Sequence, residues 1–317
     1  MKMPKRTYLV TGGAGFIGSH IAERLVRDGH RVRVLDDFSS GKNANLESFV
    51  EGIEIVRGDI RDARLVNEAS RGVEVVFHEA ALGSVPRSVA DPLSTHEVNI
   101  TGTFNVLLAA RDAGVKRVVY ASSSSVYGET PVLPKHEEMI PQPLSPYALS
   151  KLVGEHYAQV FKKVYGFEVV ALRYFNIFGP RQDLESQYAA VIPRFITALL
   201  TGNSPVVYGD GLQSRDFTYV ENVVDANLLA AEADGAAGRA FNVACGGRYT
   251  LIELLDRLKE LIGSEIEAAH EPSRAGDVRD SQASIEAAQR VLGYRVSVGF
   301  EEGLRKTVDW YRTQIDK

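Results

Sequence analysis

Tyr8-Leu9-Val10-Thr11-Gly12-Gly13-Ala14-Gly15-Phe16-Ile17-Gly18 is the stretch from which the fold is read. Tyr8-Leu9-Val10 is a short apolar run, as expected of a buried strand, and it ends in glycines. From about Gly15 to Arg27, Ile17, Ile21 and Leu25 recur at helical spacing. Gly13, Gly15 and Gly18 satisfy G-x-G-x-x-G; Gly12, Gly15 and Gly18 satisfy the looser G-x-x-G-x-x-G. Glycine is required there because the turn is tight and a pyrophosphate must approach the backbone. The helix that follows offers free amides and the positive end of its dipole. The spacing alone is weak, and its strand–turn–helix context makes it specific.

Working outward, Val32 to Leu35 predicts a second strand, Ile53 to Val56 a third, Val73 to Phe77 a fourth and Arg117 to Ala121 a fifth. Helical segments separate most of them, the clearest being Asn99 to Ala113. A helix from about Pro146 to Tyr165 leads into a strand from Glu168 to Arg173. Such alternation predicts parallel βαβ units and an α/β fold, a doubly wound Rossmann-type sheet. After Gly179-Pro180 the segments shorten, and Leu251 to Leu261 and Phe300 to Tyr311 are the clearest later helices. We expect a nucleotide-binding domain over residues 1–178, with strand contributions from later segments, and a smaller α/β substrate lobe over 179–317.

The second strand ends in Asp36-Asp37, where a carboxylate accepts from a ribose 2′-hydroxyl and repels a 2′-phosphate. This predicts NAD as cofactor in preference to NADP. Arg31 and Arg33 lie nearby, so the preference is not absolute. Asp59, after the third strand, fits either a helix cap or an adenine contact.

Composition narrows the partners. A net charge of −5 gives no polyanion-binding surface, so nucleic acid is not expected. Met-Lys-Met-Pro-Lys-Arg runs directly into the first strand without an apolar signal segment, and no apolar run reaches membrane-spanning length. With Cys245 as the single cysteine, no internal disulfide forms, and a cytoplasmic location is expected. The seven histidines show no metal-ligand spacing, so no metal is expected.

Tyr147-Ala148-Leu149-Ser150-Lys151 places a tyrosine and a lysine four apart, on one face of a helix. Upstream, Ala121-Ser122-Ser123-Ser124-Ser125-Val126-Tyr127-Gly128 puts serines at the carboxyl end of a central strand, where open α/β sheets bind ligands. A free phenol, with a pKa near ~10, is a poor base at neutral pH. A lysine ammonium and a positive nicotinamide ring would both favour the phenolate, and a serine can hydrogen-bond the reacting oxygen. Tyr-x-x-x-Lys is common by chance; the glycine loop, the acidic strand end and the serines give it weight.

With these motifs the chain resembles the extended short-chain dehydrogenases/reductases, and among them the UDP-sugar 4-epimerases. Thr11 to Gly18, Ser122 to Gly128, Pro143 to Lys151, Leu172-Arg173-Tyr174-Phe175-Asn176 and Asp210 to Phe217 carry the resemblance over almost the whole chain. It implies a UDP-sugar substrate and a bound NAD regenerated each cycle. Tyr147 is then the general base, Ser123 the catalytic serine with Ser124 adjacent as a second candidate, and Lys151 the residue that holds the nicotinamide ribose. The implied cofactor contacts are Gly12, Gly15, Phe16, Ile17, Gly18, Asp36, Ser39, Gly41, Asp59, Ile60, Ala80, Ala81, Asn99, Tyr147, Lys151 and Tyr174. The implied substrate contacts are Gly83, Ser84, Val85, Ser123, Asn176, Ala190, Val191, Arg194, Arg215, Arg274 and Ser281, with Arg215 and Arg274 on the diphosphate.

Ala81 to Ser88 and Gln187 to Pro193 are typical of the subgroup acting on UDP-N-acetylglucosamine and UDP-N-acetylgalactosamine. Ser281 stands where relatives restricted to non-acetylated sugars carry a bulky aromatic. The resemblance also implies a homodimer through a four-helix bundle, using Ile100 to Ala113 and Tyr147 to Tyr165.

A nucleotide-sugar 4,6-dehydratase is disfavoured because Ser123-Ser124-Ser125 lacks the extra acid that water loss needs. A UDP-glucuronate 4-epimerase or decarboxylase is a nearer alternative, and a non-catalytic NAD-binding sensor a remote one. His78 is read as structural and Cys245 as buried filler; Glu79 has no role in this reading.

Overall fold

The computed structural model describes residues 5–183, 190–272 and 279–315. Seven strands form one parallel sheet. They are β1 (Thr7–Thr11), β2 (Arg31–Asp36), β3 (Ile53–Arg57), β4 (Val75–His78), β5 (Arg117–Ser123), β6 (Glu168–Tyr174) and a seventh, Ala240–Val243. Their spatial order is Ala240–Val243, β6, β5, β4, β1, β2, β3. The chain builds outward from β1 to β3, then crosses to β4 on the other side. This reversal opens a crevice beyond the carboxyl ends of β1 and β4, the switch point where such sheets bind ligands. The doubly wound α/β architecture expected from the sequence is the one observed.

Side-chain alternation along the strands splits the core into two layers. Val10, Val34, Phe77, Val119 and Leu172 face the helices Phe16–Arg27 and Val220–Glu232. Leu9, Leu35, Val76, Val118 and Ala171 face Ala63–Ser70, Thr103–Asp112 and Pro146–Tyr165. Each fully buried aliphatic side chain contributes about 1.5–3 kcal/mol. The helix expected from Asn99 begins as a wide π turn, Glu97–Gly102, before the α-helix Thr103–Asp112.

Beyond β6 the chain alternates between two cores. Phe178, Ile192, Phe195, Val207, Phe217, Leu254, Phe300 and Tyr311 form a separate cluster around helices Val191–Leu200, Leu251–Ile262 and Phe300–Ile315. Between these segments, Val220–Glu232 and Ala240–Val243 return to the sheet, as do Ala288, Leu292 and Tyr294. The Val220–Glu232 helix carries no clear amphipathic stripe because buried residues surround it, Val220, Val223, Val224, Ala226, Ala230 and Ala231 among them.

The Pro146–Tyr165 helix is fixed unusually firmly. Ser145 caps it by accepting from the Ala148 amide at 3.1 Å, and Gly166 ends it at φ 68°. Gly154 lets it approach the sheet: a Cβ there would lie 2.3 Å from Cζ of Tyr120. One turn from Lys151, Glu155 receives two bonds from Arg173 on β6, from Nε at 2.9 Å and Nη2 at 2.7 Å. The Ser122 hydroxyl of β5 donates to the same carboxylate. Both ion-pair side chains are buried, at 5% and 3% exposure.

Glu155→Ala leaves Arg173 charged and unpaired, and is expected to cost about 3–5 kcal/mol. Urea unfolding of Glu155→Ala, Arg173→Met and the double variant checks this. The double variant should recover part of the loss; strict additivity would show that the pair does not couple.

Candidate active site

The glycine loop follows from β1. Gly12 adopts φ +68°, and a Cβ on it would lie 2.6 Å from the Ala80 amide nitrogen beyond β4. A Cβ on Gly18 would lie 2.2 Å from the Gly12 carbonyl oxygen. Glycine at these two positions lets loop, helix and neighbouring strand meet. Gly15 precedes the Phe16–Arg27 helix without a side-chain cap bond, so no side chain there screens the first-turn amides.

A cavity of about 410 Å³ lies against this loop. Of the expected cofactor residues, Gly12, Gly15, Phe16, Ile17, Gly18, Asp36, Ser39, Asp59, Ile60, Ala80 and Ala81 line it, as do Gly83 and Ser84 from the substrate set. Uncapped amides, a glycine cradle and an acidic strand end together fit the diphosphate and ribose of a dinucleotide.

Asp36 also organises the protein itself. Its Oδ2 accepts from the Ala14 amide at 2.9 Å and its Oδ1 from the Phe38 amide at 2.8 Å. Burial raises its pKa despite these amides. Asp59 is not the helix cap; Asp62 is, accepting from Arg64 and Leu65. Asp59 instead lines the cavity, its pKa lowered mainly by the Arg61 guanidinium.

Five expected cofactor residues, Gly41, Asn99, Tyr147, Lys151 and Tyr174, do not line the cavity, and three of them are tied up within the protein as follows. Asn99 pairs with the Leu82 backbone, accepting at 2.8 Å and donating at 3.2 Å, and donates to Ser150 Oγ at 3.1 Å. Gly41 packs so closely that a Cβ would lie 2.8 Å from Asp36 Oδ1. Tyr174 donates to Glu79 Oε1 at 2.9 Å.

The reactive candidates converge at the end of β5. Lys151 is buried, and its Nζ donates to the Ala121 carbonyl at 2.8 Å. It lies 5.9 Å from the Tyr147 ring centroid. Ser123 ends β5 and accepts from the Ser125 amide at 3.2 Å and the Ser125 hydroxyl at 2.9 Å. Hydrogen bonding to Ser123 pulls the Tyr147 pKa down, against the larger effect of burial.

The electrostatics differ from the expectation for Tyr147. Its pKa is raised by burial, with the Ser123 hydrogen bond opposing and the negative charge of Glu79 adding to the rise. Burial also lowers the Lys151 ammonium to about 8, with Glu79 opposing the fall. The protein alone therefore favours the phenol, because a buried phenolate is costly and the lysine lies across the ring.

A second cavity, of about 240 Å³, shares Ala190 with the first. Asn176, Val191, Arg194 and Arg215 line it with Phe178, Tyr208, Gln213 and Phe217. Arg194 lies over the Tyr208 ring at 5.3 Å, and Arg215 Nη1 donates to the Ser214 and Arg279 carbonyls at 2.9 and 3.0 Å. Ser281 is buried, its amide donating to the Ser214 carbonyl at 3.0 Å. Val85 is half-exposed at the start of a short helix capped by Ser84. Arg274 and residues 187–189 lie outside the described residues.

Sequence reasoning assigned no role to Glu79, Gln182 and Asp183, which line the first cavity, or to Tyr208, Gln213 and Phe217 in the second. Only Glu79 gave a local signal, as an acid directly after an apolar strand. His78 is buried between Thr11 Oγ1 at 2.7 Å and Thr103 Oγ1 at 2.9 Å, and burial lowers its pKa to about 3. Among the described residues no group of three or more His, Cys, Asp or Glu side chains is placed to hold a metal.

A sequence profile of the NAD dependent epimerase/dehydratase family matches residues 8–244. The UDP-glucose 4-epimerase of Mycolicibacterium smegmatis is 42% identical over 310 residues, 96% of this chain and 98% of that protein. The structure is similar to the UDP-N-acetylglucosamine 4-epimerase from Methanobrevibacter ruminantium in complex with UDP-N-acetylmuramic acid. That similarity has a TM-score of 0.94 and 43% identity, over 98% of this chain and 100% of that one. It is also similar to the Thermus thermophilus UDP-glucose 4-epimerase complex with NAD, with a TM-score of 0.88 and 40% identity, over 96% and 99% of the two chains.

Asp36→Ala removes the acceptor of two loop amides as well as the acid at the strand end. Calorimetry should show NAD affinity reduced at least about tenfold, since a hydrogen bond to a charged group contributes about 1.5–3 kcal/mol. Unchanged affinity would show that Asp36 has no part in holding the dinucleotide.

Proposed function

We propose that this chain, which belongs to the NAD dependent epimerase/dehydratase family, inverts C4 of UDP-hexoses, with UDP-N-acetylglucosamine and UDP-N-acetylgalactosamine as its main pair and UDP-glucose and UDP-galactose as a second. The observation that carries the reading is the grouping of Ser123, Tyr147 and Lys151 at the end of β5, the strand paired with β4, whose following residues Glu79, Ala80 and Ala81 line the glycine-loop cavity. Similarity to the archaeal N-acetylglucosamine enzyme over the full length of both chains supports the acetylated pair.

NAD, when bound, supplies a hydride acceptor and donor. The chain's own residues handle the proton and the orientation. Tyr147 takes the proton of the sugar 4-hydroxyl as general base and returns it to the same oxygen after the hydrogen at C4 has been restored on the opposite face. Ser123 hydrogen-bonds that oxygen and holds the phenol in line. Lys151, pinned by the Ala121 carbonyl, keeps a positive charge beside both. Arg215 and Arg194 in the second cavity suit the substrate diphosphate, because a guanidinium binds phosphate oxygens in pairs. The sugar then lies between the two cavities, near Ala190, which borders both.

The chain is further assigned as a homodimer. Leu149, Val160 and Val164 on the Pro146–Tyr165 helix are 50%, 48% and 62% exposed and, 11 and 4 residues apart, share one face of the helix, as expected of a helix that packs on another. No described helix is long and apolar enough to cross a membrane. A cytoplasmic location rests on the lone cysteine, Cys245.

The purified protein, given each of the four UDP-sugars without added cofactor, is expected to interconvert the acetylated pair. Failure on all four, with turnover of UDP-glucuronate instead, would replace this reading by the uronate one. Tyr147→Phe should lower kcat by about 10²–10⁴, and full activity in that variant would remove Tyr147 as the base. Ser281→Tyr is expected to suppress UDP-N-acetylglucosamine turnover and spare UDP-glucose. Equal loss of both would remove Ser281 from the specificity site.

A further inference from the structure

Glu79 follows β4 directly, at the switch point of the sheet, and lines the glycine-loop cavity. Two residues from Phe77, it continues the face of the strand that meets Val220–Glu232. From that helix Asn227 Nδ2 donates to the Tyr174 hydroxyl at 2.8 Å. This leaves the Tyr174 proton to be given to Glu79 Oε1, at 2.9 Å. Among the described residues this is the only hydrogen bond the Glu79 carboxylate makes, so its second oxygen stays available to the cavity.

The groups around it complete a charge balance. β4 pairs with β5 through His78 and Tyr120, so Glu79 follows beside Ala121, whose carbonyl accepts from Lys151 Nζ at 2.8 Å. Tyr174 from β6 and Lys151 from the Pro146–Tyr165 helix both stabilise the Glu79 carboxylate. Glu79 in turn acts on Tyr147 and Lys151 from that same helix. His78, next to Glu79, lies between two threonine hydroxyls and stays neutral.

We propose that Glu79 is a positioning residue of the reaction, a carboxylate held by Tyr174 that sets the charge against which Tyr147 and Lys151 work and so fixes the pH range of catalysis. The proposal rests on the assignment of Tyr147 as base. The carboxylate opposes the effect of burial on Lys151 and adds to it on Tyr147. The phenol then ionises only when further positive charge enters the cavity. Burial raises the Glu79 carboxyl to about 7, so its charge is gained across the neutral range. Below that range the restraint on Tyr147 relaxes; above it the restraint is complete.

Glu79→Gln keeps an acceptor for Tyr174 and removes the charge, so it separates the two roles. Removing a nearby negative charge lowers the pKa of a phenol and of an ammonium alike. Tyrosinate absorbance of the NAD-loaded protein, titrated with pH and corrected by the matching Tyr147→Phe protein, reads the ionisation of Tyr147 directly. In Glu79→Gln it should move down by about one pH unit, as expected for a charge within several ångströms. Both limbs of the pH–kcat/KM profile should move down with it. Glu79→Asp, which keeps the charge, should titrate as the parent does.

An unmoved titration in Glu79→Gln, or equal shifts in the Gln and Asp variants, would overturn the role of Glu79. Such a result, with C4 inversion intact, would leave the proposed activity standing. If no UDP-sugar is turned over, the titration still reports whether Glu79 and Tyr147 are coupled.

Discussion

The buried ion pair between Glu155 and Arg173 is the constraint from which the reaction centre takes its geometry. It joins the Pro146–Tyr165 helix to β6, while the Ser122 hydroxyl joins the same carboxylate to β5. Lys151 lies one turn before Glu155 and Tyr147 one turn before Lys151, so fixing Glu155 fixes all three. A buried pair of this kind adds little net stability over apolar packing, yet breaking it is expensive. Here it sets register, since the helix can neither slide nor rotate without stranding a charge. Gly154 permits the close approach that makes the pair reachable, and Asn99 braces the first turn through Ser150.

Around that fixed helix the protein separates its tasks. The glycine loop and Asp36 form one cavity, backbone-lined and acidic at its far end. Asn176, Arg194 and Arg215 form the other, with the cationic groups suited to an anionic ligand. The Tyr147 phenol is held protonated, mainly by burial. On the proposed assignment, Tyr147 becomes a base only when further positive charge enters the site, since a buried phenolate is costly.

What was legible in the sequence was local. The glycine loop announces itself through backbone demands that only glycine meets, and Tyr147 and Lys151 through a four-residue helical repeat. The helix expected from about Pro146 to Tyr165 has those bounds in the structure, where Ser145 caps it and Gly166 ends it. What was not legible depends on distant partners. Glu155 and Arg173 are 18 positions apart and look like ordinary charges until the fold buries them together. Val220–Glu232 lacks an amphipathic stripe, and Ala240–Val243 is four residues long, so neither signalled its place beside the sheet. The contribution of burial to the Tyr147 pKa was not legible, because burial cannot be read from spacing. Asn99 and Tyr174, placed among the cofactor contacts by resemblance, are engaged with Leu82, Ser150, Glu79 and Asn227.

The return of Ala240–Val243 to the sheet has a consequence for the chain as an inheritable unit. The outermost strand is made late, after the polypeptide has already visited the other core. A ribosome that has released only residues 1–178 has exposed a six-stranded sheet whose β6 edge still awaits its neighbour, with one helical cover missing. Neither half is a module that recombination could lift out with a single cut. Substitution along the cavity walls leaves the sheet intact, whereas exchange of residues 179–317 as a block would take Ala240–Val243 out of it.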